Sequence, residues 1–244
     1  MRSAILLSGN PRFCKDFNLQ LNILQDYNID WFVTMWTRYH TDDTRISPNW
    51  NGNTTKELLD WIQPHLPPKH TIQYIELLDH SRAPIPDKTY KEFYANSTNL
   101  LQQFWILDYC DQQRRNSGLQ YDLIIRSRPD IAILNPLNLN YIHNYLLKSP
   151  NTLILPRNER RGAPIPFCDQ FAIALPDTMT LYTQTYKSFD NLYNKGVPYN
   201  PEYLMANACL ELKLNWPMTD FDIGLRTHGY HVPGHFHPDF DNWL

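Results

Sequence analysis

Two nearly continuous apolar runs close to the amino terminus constrain the fold of this chain more than any other feature. The first covers residues 3–8 and ends at Gly9-Asn10-Pro11, and the second covers residues 29–36 (IDWFVTMW). Runs of this kind indicate strands that are buried on both faces of a sheet. Between them, residues 13–27 carry apolar side chains at helical spacing. A strand, a helix and a strand in this order predict a parallel pair with a right-handed crossover.

The rest of the 244-residue chain continues this alternation, without an internal repeat or a linker long enough to divide two domains. We therefore expect one α/β domain. Apolar runs bounded by turn residues predict further strands at 71–78, 122–125, 131–134, 152–155, 170–175 and 222–226. Helical spacing predicts helices at 54–62, about 90–115, 177–192 and 201–212, the first capped by a hydroxyl of Thr54 or Thr55.

Composition and charge argue against several classes of protein. The formal net charge is −3, and no run of Lys and Arg exceeds a pair, so a nucleic-acid-binding stripe is not expected. The apolar stretch at the amino terminus is too short for a signal peptide or a membrane span, which predicts a cytoplasmic protein without a transmembrane segment. The four cysteines contain no C-x-x-C pair, so we expect reduced, mostly buried thiols.

The strongest local signal is a charged cluster at the end of the apolar run at 122–125. Arg126, Arg128 and Asp130 follow one another there, and charges at a buried strand end cost free energy unless they pair or meet a ligand. Strand alternation puts Arg126 and Arg128 on one face and Ser127 on the other. Two interpretations stay open. The cluster is a structural Arg–Asp network, or Asp130 binds a divalent metal while an arginine binds phosphate.

Two further segments carry candidate site residues. Asp169 and Gln170 are the polar residues at the start of an otherwise apolar strand. Two roles are open for the Asp169 carboxylate: it contacts a substrate hydroxyl, or it caps the preceding loop. The loop after the first strand holds Ser8, Gly9 and Arg12. Glycine permits close approach of the backbone to a ligand, and Arg12 is suited to contact a phosphate or a base. This loop is also a common kind of turn.

A histidine-rich carboxyl-terminal tail is the last candidate. It contains His228, His231, His235 and His237. One histidine of this group is a possible metal ligand, and solvated surface histidines are the alternative. No cysteine lies nearby, so a structural zinc site is not favoured.

Several blocks together resemble a group of bacterial and viral proteins assigned as glycosyltransferases. They are LSGNPRF with the following IDWFVTMW, then NSTNLLQQFWILDYC, YDLIIRSRPDIAI, CDQFAIALPDTMTLY and PEYLMANACLEL. The blocks lie in the same order as in that group and span nearly the whole chain. Each block alone is only moderately specific.

This resemblance implies a single-domain, A-type (Rossmann-like) glycosyltransferase fold, with a mainly parallel central sheet flanked by helices. It implies transfer of a sugar from a UDP- or GDP-type nucleotide-sugar donor, bound by residues of about 1–134, to a glycan acceptor over about 135–244. The donor-binding residues would be Ser8, Gly9, Arg12, Arg126, Arg128 and Gln170.

The resemblance also implies the chemistry of the site. Asp169 would be the catalytic residue, and Mn²⁺ or Mg²⁺ would be held by Asp130 with His228 and His231. The chain departs from the family here, because Ser127-Arg128-Pro129-Asp130 supplies one acid where an Asp-x-Asp motif supplies two. Arg126 or Arg128 would then neutralise part of the diphosphate charge.

Two rival functions follow from the same residues. The single acid at Asp130 favours a catalytically inactive protein that binds nucleotide sugars or carbohydrates on the same fold. A sugar-phosphate nucleotidylyltransferase shares the sheet but needs a glycine-rich phosphate loop with a lysine after the first strand. Gly9-Asn10-Pro11-Arg12 is not such a loop.

Overall fold

The computed structural model of the chain describes seven ranges of residues. They are 1–11, 23–37, 52–84, 97–133, 135–156, 167–217 and 225–227. The predicted helix at 13–27 lies mostly outside these ranges, as do Cys14 and the histidine-rich tail.

Within the described residues, seven strands form two sheets. They are β1 (Arg2–Gly9), β2 (Asn28–Trp36), β3 (His70–Leu78), β4 (Leu123–Ser127), β5 (Ile131–Ile133), β6 (Ala172–Ala174) and β7 (Leu225–Thr227). The larger sheet has five strands in the order β3-β2-β1-β4-β6, and β5 pairs with β7 in the smaller one.

The described helices surround the larger sheet. They are α1 (Thr55–Ile62), α2 (Ser97–Asn116), α3 (Leu139–Lys148), α4 (Pro176–Thr183), α5 (Phe189–Asn194) and α6 (Pro201–Glu211), with short 3₁₀ turns at Gln63–His65, His80–Arg82 and Thr185–Ser188. Thr54 caps α1, as predicted, in a capping box with Glu57.

The central sheet is mostly parallel, which confirms the predicted α/β class. β1 pairs in parallel with β2 on one side and with β4 on the other, and β3 continues the parallel order beyond β2. β6 is antiparallel to β4. The carboxyl ends of β1, β2, β3 and β4 therefore share one edge of the sheet, here called the carboxyl edge.

Apolar side chains cover both faces of this sheet, which explains the continuous apolar runs of the sequence. Ile5 and Leu7 of β1 belong to a core with residues of α1 and α3. Ala4 and Leu6 point to the opposite face and belong to a core with residues of α2, α4 and α6. The alternation follows from the two-residue period of a strand.

Two predicted elements are wrong in detail. The predicted strand at 152–155 forms only isolated bridges, from Thr152 to Asn215 and from Ile154 to Ile173. Pro150 and Pro156 flank this segment, and prolines lack the N–H that a longer ladder would need.

The predicted helix at 177–192 is instead divided into α4, a 3₁₀ turn and α5. Hydroxyl groups bond the backbone three residues back at this break. Thr183 donates to the carbonyl of Thr180 (3.0 Å), Thr185 to that of Tyr182 (2.8 Å), and Ser188 to that of Thr185 (2.8 Å). Such side-chain bonds compete with the regular helical ladder.

Candidate functional site

The loops that follow β1 and β4 meet at the carboxyl edge. The chain leaves β1 toward β2 on one side, while β4 flanks β1 on the other, so the strand order reverses at this point. Open α/β sheets bind ligands at such a switch point, in the crevice between the two diverging loops. The topology thus locates a candidate site before any side chain is considered.

Gly9 is the last residue of β1 and lies beside the loop after β4. Its backbone φ of +131° is one that residues with a side chain rarely adopt. A Cβ added at Gly9 would lie 3.9 Å from Cδ of Pro129. Ser8, just before Gly9, is 2% exposed, and the residue opposite it on β2 is Thr34. The close approach of a ligand to the backbone at Gly9 stays a prediction, and the loop after β4 lies beside this position.

Arg126 is a buried cation without hydrogen-bond partners for two of its nitrogens. It lies in β4 between Leu6 of β1 and Ala172 of β6, and it is 1% exposed. Its Nε and Nη1 atoms make no hydrogen bond. Burial lowers the pKa of Arg126, and the neighbouring Tyr182 and Asp169 oppose this shift. Arginine keeps its charge in proteins, so a buried positive charge remains at this position.

Tyr182 of α4 adds a third unpaired donor to the same region. The side chain is fully buried, and its hydroxyl has no hydrogen-bond partner. Burial raises the pKa of Tyr182, while the charge of Arg126 lowers it. A buried donor without an acceptor costs free energy, and three of them in one region call for an explanation.

Asp169 supplies a negative charge beside these donors. It is 6% exposed and accepts a hydrogen bond from Nε2 of Gln103 on α2 (3.1 Å). Its charge raises the pKa of both Arg126 and Arg128. The structure therefore brings the predicted catalytic residue together with the predicted arginines.

Arg128 and Asp130 form a two-bond ion pair. Nε of Arg128 donates to Oδ1 of Asp130 (2.8 Å), and Nη2 donates to Oδ2 (2.5 Å). The side chains are 16% and 10% exposed. Burial lowers the pKa of Arg128, but Asp130 outweighs this effect, so the net shift is upward. Asp130 therefore fits the interpretation of the charged cluster as a structural Arg–Asp network. Arg126 does not belong to that network, because two of its nitrogens have no hydrogen-bond partner.

The predicted site residues divide into two groups. Seven of them gather around the carboxyl edge: Ser8, Gly9, Arg126, Arg128, Asp130, Asp169 and the half-buried Gln170. The other three lie outside the described residues: Arg12, His228 and His231.

The sequence analysis missed Tyr182 and Gln103. Tyr182 follows the helical spacing of the core, so nothing in the local pattern sets its hydroxyl apart. Gln103 lies in a segment that is rich in amides, and only its position opposite Asp169 singles it out.

The described residues do not fit a divalent cation at Asp130. Mn²⁺ and Mg²⁺ prefer several oxygen ligands, yet both oxygens of Asp130 accept hydrogen bonds from a guanidinium group. Within the part of the chain that the structure describes, no three His, Cys, Asp or Glu side chains are grouped to hold a metal ion. An ion at Asp130 would have to displace Arg128.

The thiol nearest the site is not a candidate nucleophile. Cys168 precedes Asp169, and burial raises the pKa of its thiol to about 11, which keeps it protonated near neutral pH. Cys110, Cys168 and Cys209 are all free and buried, which confirms the expectation for these three.

An aromatic stack occupies the carboxyl edge beyond β2. The ring of Trp36, at the end of β2, lies between His80 (4.5 Å between ring centroids) and Trp105 (5.7 Å), and Trp105 stacks on Tyr109 (5.4 Å). Trp36 is only 2% exposed. Any stacking of a base at the end of this strand would involve the half-buried Trp105 rather than Trp36.

A cleft of about 490 Å³ lies in the second half of the chain. Its walls combine aromatic rings, amides and hydroxyls, and include Tyr145, Ser149, Asn151, Thr152, Asn215 and Trp216. The ring of Trp216 packs edge-on against Phe167 (5.2 Å), two residues before Asp169. The cleft lies in the half of the chain that was predicted to take an acceptor.

Comparison with protein-family models gives no match for this chain, and comparison with curated proteins gives no significant relative. The resemblance to glycosyltransferases therefore stays a prediction. Among the helices in the described ranges, none combines the length and apolar character needed to cross a bilayer.

Proposed function

We propose that this protein is a nucleotide-sugar-dependent glycosyltransferase that moves a sugar to a glycan acceptor. The observation that carries the proposal is the buried guanidinium group of Arg126, which has unpaired donors beside the switch point of a mostly parallel sheet. A fixed, desolvated cation at this position suits a phosphorylated ligand.

The position of Gly9 supports a ligand whose phosphates lie against the backbone. A Cβ placed on Gly9 would lie at ordinary contact distance from Pro129, so the end of β1 and the loop after β4 are adjacent. Phosphates bound between these loops would lie near Arg126, close to the end of β4, and Arg128, just after β4. In glycosyl transfer the bond between the anomeric carbon and the phosphate oxygen breaks, and negative charge develops on the departing diphosphate. Cations already in place there lower the barrier without reorganisation.

Asp169 is suited to act on the sugar end of such a donor. The carboxylate is buried, and Gln103 holds one of its oxygens. In this proposal Asp169 either orients the donor sugar or takes the proton of the acceptor hydroxyl as that oxygen attacks the anomeric carbon. Gln170 follows it directly and would contact the same donor.

Calorimetric titration with UDP, GDP and their sugars tests the proposal. We expect the wild-type protein to bind one nucleotide type. Arg126→Met should weaken that binding about 10-fold to 100-fold, because charge-assisted hydrogen bonds to phosphate are lost. Arg2→Met is the matched control, since Arg2 is also an arginine of a central strand but pairs with Asp30 at the opposite end of the sheet. It should leave nucleotide binding unchanged.

A second candidate is an inactive nucleotide-sugar-binding protein on the same fold. The pairing of Asp130 with Arg128 favours it, because the acid expected at the donor diphosphate is engaged by a side chain. Release of free nucleotide from the bound donor separates the two. Turnover that Asp169→Asn abolishes supports the enzyme, and tight binding without turnover supports the inactive protein. Binding of no nucleotide by the folded protein would refute both.

A further inference from the structure

We propose that the donor diphosphate is bound by the guanidinium groups of Arg126 and Arg128 in place of a divalent metal ion. This inference rests on the proposed function, because it assumes that the ligand is a nucleotide with a diphosphate. It departs from what the resemblance to glycosyltransferases implies, namely Mn²⁺ or Mg²⁺ bound at Asp130.

The charges of the described side chains favour arginines in the metal's role. A metal site with two carboxylates and one divalent cation has no net charge before the phosphates bind. Asp130 and Asp169 supply the two negative charges here, and Arg126 and Arg128 supply two positive charges. A divalent ion added to this group would face two cations at close range, which disfavours its binding.

The hydrogen-bonding groups lead to the same conclusion. Nε and Nη1 of Arg126 are buried donors without acceptors, and the Tyr182 hydroxyl is another. Phosphate oxygens are acceptors and would match these donors once movement of the covering groups exposes them, whereas a metal ion is not an acceptor. Asp130 has both oxygens on Arg128, so it holds that guanidinium group at the loop after β4. Asp130 is thus a positioning residue for Arg128 rather than a metal ligand.

The two arrangements predict different effects for one substitution. If Asp130 binds a metal, Asp130→Asn should abolish nucleotide binding. If Asp130 positions Arg128, the amide still accepts one of the two hydrogen bonds and holds the guanidinium group less firmly. Nucleotide binding should then weaken by no more than about 10-fold, and to the same extent with and without Mn²⁺.

The experiment titrates UDP and GDP into the full chain after exhaustive treatment with EDTA, and again with added Mn²⁺. Wild type and Asp130→Asn are compared. We expect the preferred nucleotide to bind in EDTA within about 2-fold of its affinity with Mn²⁺, and the variant to bind within about 10-fold of wild type under both conditions. The wild-type comparison alone decides the question if the variant does not fold.

The possible failures are distinct. Binding that requires Mn²⁺ and disappears in Asp130→Asn overturns this inference and leaves the proposed function standing. Binding of neither nucleotide, with or without Mn²⁺, overturns the proposed function and this inference with it.

Discussion

The two ends of the central sheet treat buried charge in opposite ways. At the amino ends of the strands, Asp30 accepts hydrogen bonds from Arg2 (2.7 Å), Tyr121 (3.0 Å) and Gln73 (3.1 Å). At the carboxyl edge, Arg126 and Tyr182 keep buried donors without acceptors. Both ends belong to the same five-stranded sheet.

This difference distinguishes a charge that is paired for stability, as at Asp30, from a charge that is left available for a ligand, as at Arg126. Folding selects pairing for buried polar groups, and the buried charge of Asp30 meets that requirement at the amino ends, although the Ser3 hydroxyl at the same end has no partner. Unpaired donors lower stability, so their presence at one end needs a benefit outside folding. The switch point of the sheet lies at that end, and we assign the benefit to ligand binding.

The largest expected effect comes from removing the centre of the paired network. Asp30→Ala leaves the Tyr121 hydroxyl and the Gln73 amide without their acceptor, so we expect the free energy of unfolding to fall by about 2–3 kcal/mol. The loss is below that of a fully buried ion pair, because the Arg2 side chain is 44% exposed. Urea denaturation followed by circular dichroism measures it.

Asp30→Asn is the control for this change, since it keeps the shape and one acceptor oxygen. Its loss should be clearly smaller. The nucleotide affinity of both variants should equal that of wild type where they are folded. A nucleotide affinity that falls together with stability would contradict the separation of the two ends.

The second effect has the opposite sign. Arg126→Met removes a buried charge with unpaired donors and keeps most of the side-chain volume. We expect the free energy of unfolding to rise by about 2 kcal/mol in the absence of ligand. The same urea titration measures it. A gain in stability together with lost nucleotide binding is typical of a residue that is kept for function.

A loss of stability in Arg126→Met would count against this account, because it would mean that the guanidinium group is paired in the free protein. Arg114→Met is the matched control. Arg114 is also buried, but it pairs with Asp111 (2.7 Å), and its removal should destabilise the protein.

The sheet could be predicted from the sequence because its signals are local. Residues 3–8, 29–36 and 71–78 are apolar runs with few polar interruptions, and each matches an observed strand to within two residues. The errors at 152–155 and 177–192 arose where proline or hydroxyl groups at the ends of a run compete for backbone bonds.

The site could be predicted only in part, because its decisive feature is non-local. Strand alternation puts Arg126 and Arg128 on one face but does not tell which of them pairs with Asp130. The chain turns at Pro129 after β4 ends, and this turn lets Arg128 reach Asp130 while Arg126 stays within the strand. Tyr182 comes from a helix more than fifty residues later, and no local pattern connects it to Arg126.

The smallest expected effect compares two buried tyrosines that differ in one hydrogen bond. The Tyr121 hydroxyl donates to Asp30, whereas the Tyr182 hydroxyl has no partner. Tyr121→Phe should therefore lower the free energy of unfolding by about 1 kcal/mol, and Tyr182→Phe should leave it unchanged or raise it by up to about 1 kcal/mol. Urea denaturation of both variants, measured side by side, gives the sign. If Tyr182→Phe destabilises as much as Tyr121→Phe, the Tyr182 hydroxyl is bonded within the free protein, by a buried water for example. The Tyr182 hydroxyl would then be satisfied without a ligand, and the contrast between the two ends would rest on Arg126 alone.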